Sequence, residues 1–173
     1  MSGIAPTGRR EARDGTSYVA YARTFAAPIE DVWAAVTEPD RLARWIGTWS
    51  GDPASGAVSF RMTAEGEDVA AETYRIEVCE PPRRLVTHSG GTGPEDPDGM
   101  VWQLELDLVE SDGVTTLTFA QVMSDPAVAE SVGPGWDYYL DRLVAAETGR
   151  DVAGVVWDDY YPGQAGFYRS AFS

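Results

Sequence analysis

The stretch Gly133-Pro134-Gly135-Trp136-Asp137-Tyr138-Tyr139-Leu140-Asp141-Arg142-Leu143 decides the architecture of this chain. From Trp136 to about Thr148 the apolar positions Trp136, Tyr139, Leu140, Leu143 and Val144 recur at the three-and-four spacing of one buried helix face. Asp137, Asp141 and Arg142 fall on the far side, and Gly149 is placed to cap the C-terminus. Proline lacks the N–H that a helix interior needs, so Gly133-Pro134-Gly135 predicts a break between this helix and a short turn over Ala127 to Val132.

Upstream the period falls to two, the signature of strands with one wet face. Val58, Phe60 and Met62 alternate with polar neighbours, as do Tyr74, Ile76 and Val78, and again Trp102, Leu104, Leu106 and Leu108. Leu85 to His88 predicts a shorter strand, and Thr115 to Met123 a further one that forms a hairpin across Ser111-Asp112-Gly113. Ser89 to Gly99, with its glycines and prolines, predicts a loop. Its acidic run Glu95-Asp96-Pro97-Asp98-Gly99 lacks the spacing of a calcium loop. Nearer the N-terminus, Tyr18 to Phe25 predicts a first strand. Ala27-Pro28-Ile29-Glu30-Asp31 then starts a helix burying Ile29, Val32, Trp33 and Val36, and a short second helix after Pro39 buries Leu42, Trp45 and Ile46. Strands bracketed by helices, rather than alternating with them, indicate an α+β domain with an antiparallel sheet.

The expected organisation is a flexible arm over residues 1–16, a domain over 17–149 and an aromatic-rich tail over 150–173. Val155, Val156, Trp157, Tyr160, Tyr161, Phe167, Tyr168 and Phe172 make that tail too apolar for a solvated linker. It is expected to pack on the domain or on a partner subunit, which would make a homodimer.

Composition narrows the function. The 173 residues carry 28 acidic and 13 basic side chains, a net charge of −15, and every basic residue is arginine. Such a surface repels nucleic acid and anionic lipid, so neither is expected as a partner. No apolar run approaches a membrane span, and the expected location is cytoplasmic. With one cysteine, Cys79, and one histidine, His88, no metal site and no other cofactor is expected. His88 and Ser89 are adjacent and cannot form a nucleophile–base pair, and the glycines at 89–93 and 133–135 match no phosphate loop.

Three motifs carry a family resemblance: Arg23-Thr24-Phe25-Ala26-Ala27-Pro28-Ile29-Glu30-Asp31-Val32-Trp33, Thr37-Glu38-Pro39-Asp40-Arg41-Leu42-Ala43-Arg44-Trp45, and the opening stretch from Gly133 to Leu143. In this order they resemble the Bet v 1-like or START-like (SRPBCC) superfamily, in the branch named for the C-terminal domain of the activator of the Hsp90 ATPase. The resemblance implies a helix-grip fold: a curved antiparallel sheet of six or seven strands wrapped around a long C-terminal helix, with two short helices after the first strand. It also implies a cavity between sheet and helix, used across the superfamily for apolar ligands and in a few branches for cyclisation or dehydration.

On that frame an apolar or aromatic ligand is expected to touch Phe60, Met62, Tyr74, Trp102, Phe119 and Met123 from the strands. Trp136, Tyr139 and Leu140 face it from the long helix, with Gln121 as an inward polar group. Glu72 shares the phase of Tyr74, and Cys79 is expected on the polar face. Two other functions compete with simple binding. A polyketide cyclase or dehydratase-like enzyme would use an inward, buried Glu72 as acid–base with Tyr74 or Tyr139 orienting the substrate. A chaperone-associated protein-binding module would use the tail as its contact surface.

Overall fold

The computed structural model describes residues 3–66, 69–89 and 102–173. Strands β1 (Arg9–Arg13) and β2 (Thr16–Phe25) lead into helices α1 (Ile29–Thr37) and α2 (Pro39–Leu42). Six strands follow: β3 (Thr48–Ser50), β4 (Ala57–Arg61), β5 (Glu72–Glu80), β6 (Arg84–Ser89), β7 (Trp102–Ser111) and β8 (Val114–Val122). Helix α3 (Pro126–Glu147) comes next, and α4 (Ala165–Ala171) closes the chain. The sheet runs β1-β2-β8-β7-β6-β5-β4-β3 with every neighbour antiparallel. Its inward face packs on α3 through Tyr21, Leu106, Leu117, Phe119, Leu140 and Leu143, which gives the helix-grip α+β architecture.

Four features differ from the sequence-based expectation. Residues 9–13, expected within a flexible arm, form an edge strand paired with β2 from Arg9↔Ala20 to Arg13↔Thr16. An edge strand tolerates charge on its open side, and the charges pair locally, Glu11 with Arg13 at 2.9 Å and with Arg9 at 3.2 Å. With β3, which pairs only Thr48 to Ser50 with β4, this brings the sheet to eight strands and makes the expected first strand the second.

The second difference is that α3 runs unbroken through Gly133-Pro134-Gly135 for 22 residues. Pro134 removes only the hydrogen bond to the Glu130 carbonyl. Asp125 caps the first turn by accepting from the Ala127 N–H at 2.9 Å, and Gly149, at φ +74°, ends the helix.

Third, Asp137 is not on a wet face but 1% exposed. It accepts hydrogen bonds from the Tyr168 hydroxyl, from Arg23 at 3.0 Å, and from both the hydroxyl and the backbone N–H of Thr7. Asp141 beside it accepts from the Tyr160 hydroxyl at 2.6 Å and from Arg23 at 3.2 Å. The two ends of the chain are thus tied to the outer side of α3, and Gln164 joins them by donating to the Ile4 carbonyl at 2.9 Å. Tyr160, Tyr168 and Phe172 are buried there, while Val156, Trp157, Tyr161 and Phe167 stay exposed.

The fourth difference is a β-bulge in β5. Ile76 pairs with Thr87, but the next pair is Val78 with Val86 and then Cys79 with Leu85. The extra residue reverses the inward–outward phase, because side chains alternate with a period of two.

Candidate functional site

Between the sheet face, α1, α2 and α3 lies a cavity of about 900 Å³. The chain has six tryptophans, and all six line it: Trp33 from α1, Trp45 after α2, Trp49 from β3, Trp102 from β7, Trp136 from α3 and Trp157 from the tail. Three indoles have their N–H groups bonded to protein: Trp45 donates to the Ala35 carbonyl at 3.1 Å, Trp49 to the Thr37 carbonyl at 2.7 Å, and Trp136 to Gln121 Oε1. Those bonds fix the rings and leave their apolar faces for packing.

The register explains how the sheet delivers the floor. Val58, Tyr74, Ser89 and Trp102 stand side by side across β4 to β7. A second row, Cys79, Leu85, Leu106 and Phe119, crosses β5 to β8 nearer the other end. Without the bulge Val78 would occupy the inward place. Cys79, expected on the polar face, instead lines the cavity because of the phase reversal.

Of the residues expected to face a ligand, Phe60, Met62, Tyr74, Trp102, Phe119, Trp136 and Tyr139 line the cavity together. Gln121, Met123 and Leu140 do not: all three are buried in the core. Alternation reports which face a side chain takes but not whether space lies in front of it. Gln121 is covered by α3, where the Trp136 indole N–H donates to its Oε1.

Glu72 lines the cavity as its phase implied, but it is an exposed side chain, so the burial that an acid–base role would draw on is missing. A different carboxylate meets the tyrosine: Tyr139 donates its hydroxyl to Glu65 Oε1 at 3.0 Å. Burial, reinforced by the Glu65 charge, holds the Tyr139 phenol far above its ordinary pKa. Burial likewise raises Tyr74. His88 lies on the opposite face of β6 from Thr87 and does not line the cavity. Among the described residues no group of three metal-ligating side chains occurs.

The sequence signals for Trp33, Trp45, Trp49, Trp157 and Glu65 pointed elsewhere. The first three followed helical spacing or stood alone, Trp157 lay in the aperiodic tail, and Glu65 lies in the β4–β5 connection, where no period applies. The acidic stretch Glu95 to Gly99 and most of the expected loop containing it fall outside the described residues.

A sequence model of the family described as "Activator of Hsp90 ATPase homolog 1-like protein" matches residues 26–147. No curated protein matches the chain. Among solved structures it is similar to CalU16 from Micromonospora echinospora, at 24% identity and a TM-score of 0.70 over 97% of each chain. It is also similar to DynU16, described as a protein in the dynemicin biosynthetic locus, at 27% identity and a TM-score of 0.60. That likeness covers 78% of this chain and 49% of DynU16, so the chain spans about half of that protein's length. The protein encoded by gene BPP1335 from Bordetella parapertussis is 21% identical, with a TM-score of 0.63 over 93% of this chain and 95% of its own.

Proposed function

The chain belongs to the Activator of Hsp90 ATPase homolog 1-like family within the Bet v 1-like (SRPBCC) superfamily, and from that premise we propose that it binds an apolar, aromatic small molecule between its sheet and α3. The observation that carries this reading is the convergence of all six tryptophans on one cavity of about 900 Å³. A volume of that order suits a drug-sized ligand, and indole faces offer flat, polarisable walls to rings. The likeness to DynU16, a protein of a biosynthetic locus, supports a ligand drawn from small-molecule biosynthesis.

The test is twofold: organic extraction of the purified protein followed by mass spectrometry, and a thermal-shift screen with uncharged polycyclic compounds. A co-purifying ligand, or a compound that raises the melting temperature in a saturable way, supports the reading. An empty extract together with no shift from any compound contradicts it.

A second reading, cyclase-type chemistry on a bound substrate, is favoured by one observation, the phenol–carboxylate pair of Tyr139 and Glu65 in the wall. It requires that Tyr139→Phe abolish turnover of a polyketide-type substrate while leaving its binding intact. Turnover unchanged in that variant removes it.

A further inference from the structure

The charge on the cavity wall is one-sided. Two carboxylates, Glu65 and Glu72, line it, and no arginine does. Both belong to the end where β4 passes into β5: Glu72 pairs across the strands with Phe60, and Glu65 lies in the connection that follows β4. Glu65 accepts a hydrogen bond only from a neutral phenol, and Glu72 makes no ion pair among the described residues.

Among the described residues no basic side chain lines the cavity to supply the missing cation. All 13 basic side chains are arginines, and none falls in residues 67–68 or 90–101. Arg61 and Arg75 neighbour Phe60 and Tyr74 along their strands and so project from the opposite face. Arg142 touches the wall, donating to the Trp45 carbonyl at 2.9 Å and lying over the Tyr138 ring at 5.4 Å, but it does not line the cavity.

One further feature favours a positive group. Indole and phenol faces attract a cation through the ring quadrupole, and here six indoles surround the space.

We propose that the ligand of this cavity is a cationic one: an aromatic or polycyclic body that carries a protonated amine, with the ammonium held at the Glu65–Glu72 end and the rings among the tryptophans. The inference rests on the cavity being a ligand site. It further separates the protein from carriers of fatty acids and other organic anions, whose head group would meet two carboxylates and no basic side chain in the lining.

The experiment uses three pyrene probes of matched size, aminomethylpyrene, hydroxymethylpyrene and pyrenecarboxylate, followed by energy transfer from the tryptophans. It is run at about 0.15 M salt, where the Debye length is about 8 Å and the general −15 field is damped. The expected order is amine, alcohol, carboxylate, with the amine tighter than the alcohol by about tenfold. Glu65→Gln with Glu72→Gln is expected to cut the ratio of amine to alcohol affinity below about threefold. Glu72→Gln alone, at an exposed side chain with no hydrogen bond among the described residues, is expected to lose part of that advantage. A control pair, Asp14→Asn with Asp112→Asn, removes the same charge from two hairpin turns whose positive φ asparagine accepts, and is expected to change nothing.

Equal binding of amine and alcohol by the unaltered protein overturns the proposal and leaves the cavity a neutral ligand site. Loss of the amine advantage in the control pair also overturns it, by assigning the effect to net charge. Binding of none of the three probes overturns the ligand-site reading itself.

Discussion

The ring of Tyr168 rests on the Cα of Gly133: a Cβ added there would stand 2.2 Å from Tyr168 Cγ and 2.5 Å from both Cδ carbons. This close approach, and not a helix break, accounts for a glycine in the middle of α3. Alanine in a helix interior is favoured over glycine by about 1 kcal/mol, but the overlap would drive α4 off the helix at a cost of about 1–3 kcal/mol. Gly133→Ala is therefore expected to lower the melting temperature, and Tyr168→Ala to relieve most of that penalty when combined with it. A rise in melting temperature for Gly133→Ala would contradict the packing described.

Alkaline pH tests the tail anchors. Tyr160 and Tyr168 have phenol pKa values driven well above the ordinary value, first by burial and then by the carboxylates Asp141 and Asp137. Tyr21 is raised mainly by burial. The unfolded chain ionises these phenols near pH 10 while the folded one keeps them neutral, so their stabilisation is complete below about pH 10 and is lost as the pH rises beyond it. Chemical denaturation at a series of pH values is expected to show stability falling from about pH 10 upward, and Tyr160→Phe to make the fall shallower. A profile unchanged by that substitution would remove Tyr160 from the account.

Cys79 reports on the bulge. If the phase reversal places its thiol on the cavity face, a bound apolar ligand shields it, and alkylation by a maleimide slows at saturating ligand. The thiol is the only one in the chain, so mass spectrometry gives the rate without ambiguity. An alkylation rate independent of ligand would place Cys79 on the outer face.

Trp157 carries the tail's contribution to the site. It lines the cavity, packs edge-on against Tyr138 at 5.5 Å and stacks on Tyr161 at 5.5 Å, yet is 37% exposed. Trp157→Ala is expected to weaken ligand binding by about tenfold with a change in stability below about 1 kcal/mol. Binding unaltered in the variant would make the tail a structural brace only. The matched family region ends at residue 147, so Trp157 lies outside it.

Periodicity made much of this molecule legible. The alternation of Trp102, Leu104, Leu106 and Leu108, the face of α1 and the stripe of α3 each follow from a side chain's need to reach one core, and the motifs around Val32-Trp33 and Gly135-Trp136 set them in a known order. Period fails where chain geometry departs from the ideal repeat. The one-residue bulge in β5 exchanged Val78 for Cys79. The charged segment Arg9 to Arg13 shows no apolar alternation because its strand is an edge. Gly133-Pro134-Gly135 looks like a stop because the ring that demands the glycine lies 35 residues later in the chain. For the site, strand phase found the floor but could not separate Phe119, which meets open space, from Gln121, which meets the helix. Glu65 and Trp157 came from segments with no repeat at all.

The central claim is an open cavity that takes an apolar ligand, and Gly135 offers the most direct measurement of it. This residue lines the cavity, and a Cβ built on it meets nothing within 4 Å, so a leucine there would occupy the space in place of ligand. Titration of the uncharged fluorophore N-phenyl-1-naphthylamine, read by energy transfer from the tryptophans, compares the two proteins. The account predicts saturable one-to-one binding by the unaltered chain. It predicts about tenfold or greater loss in Gly135→Leu, with a melting temperature unchanged or higher because leucine favours helix over glycine. Absence of saturable transfer in the unaltered protein, or equal affinity in Gly135→Leu, would contradict it.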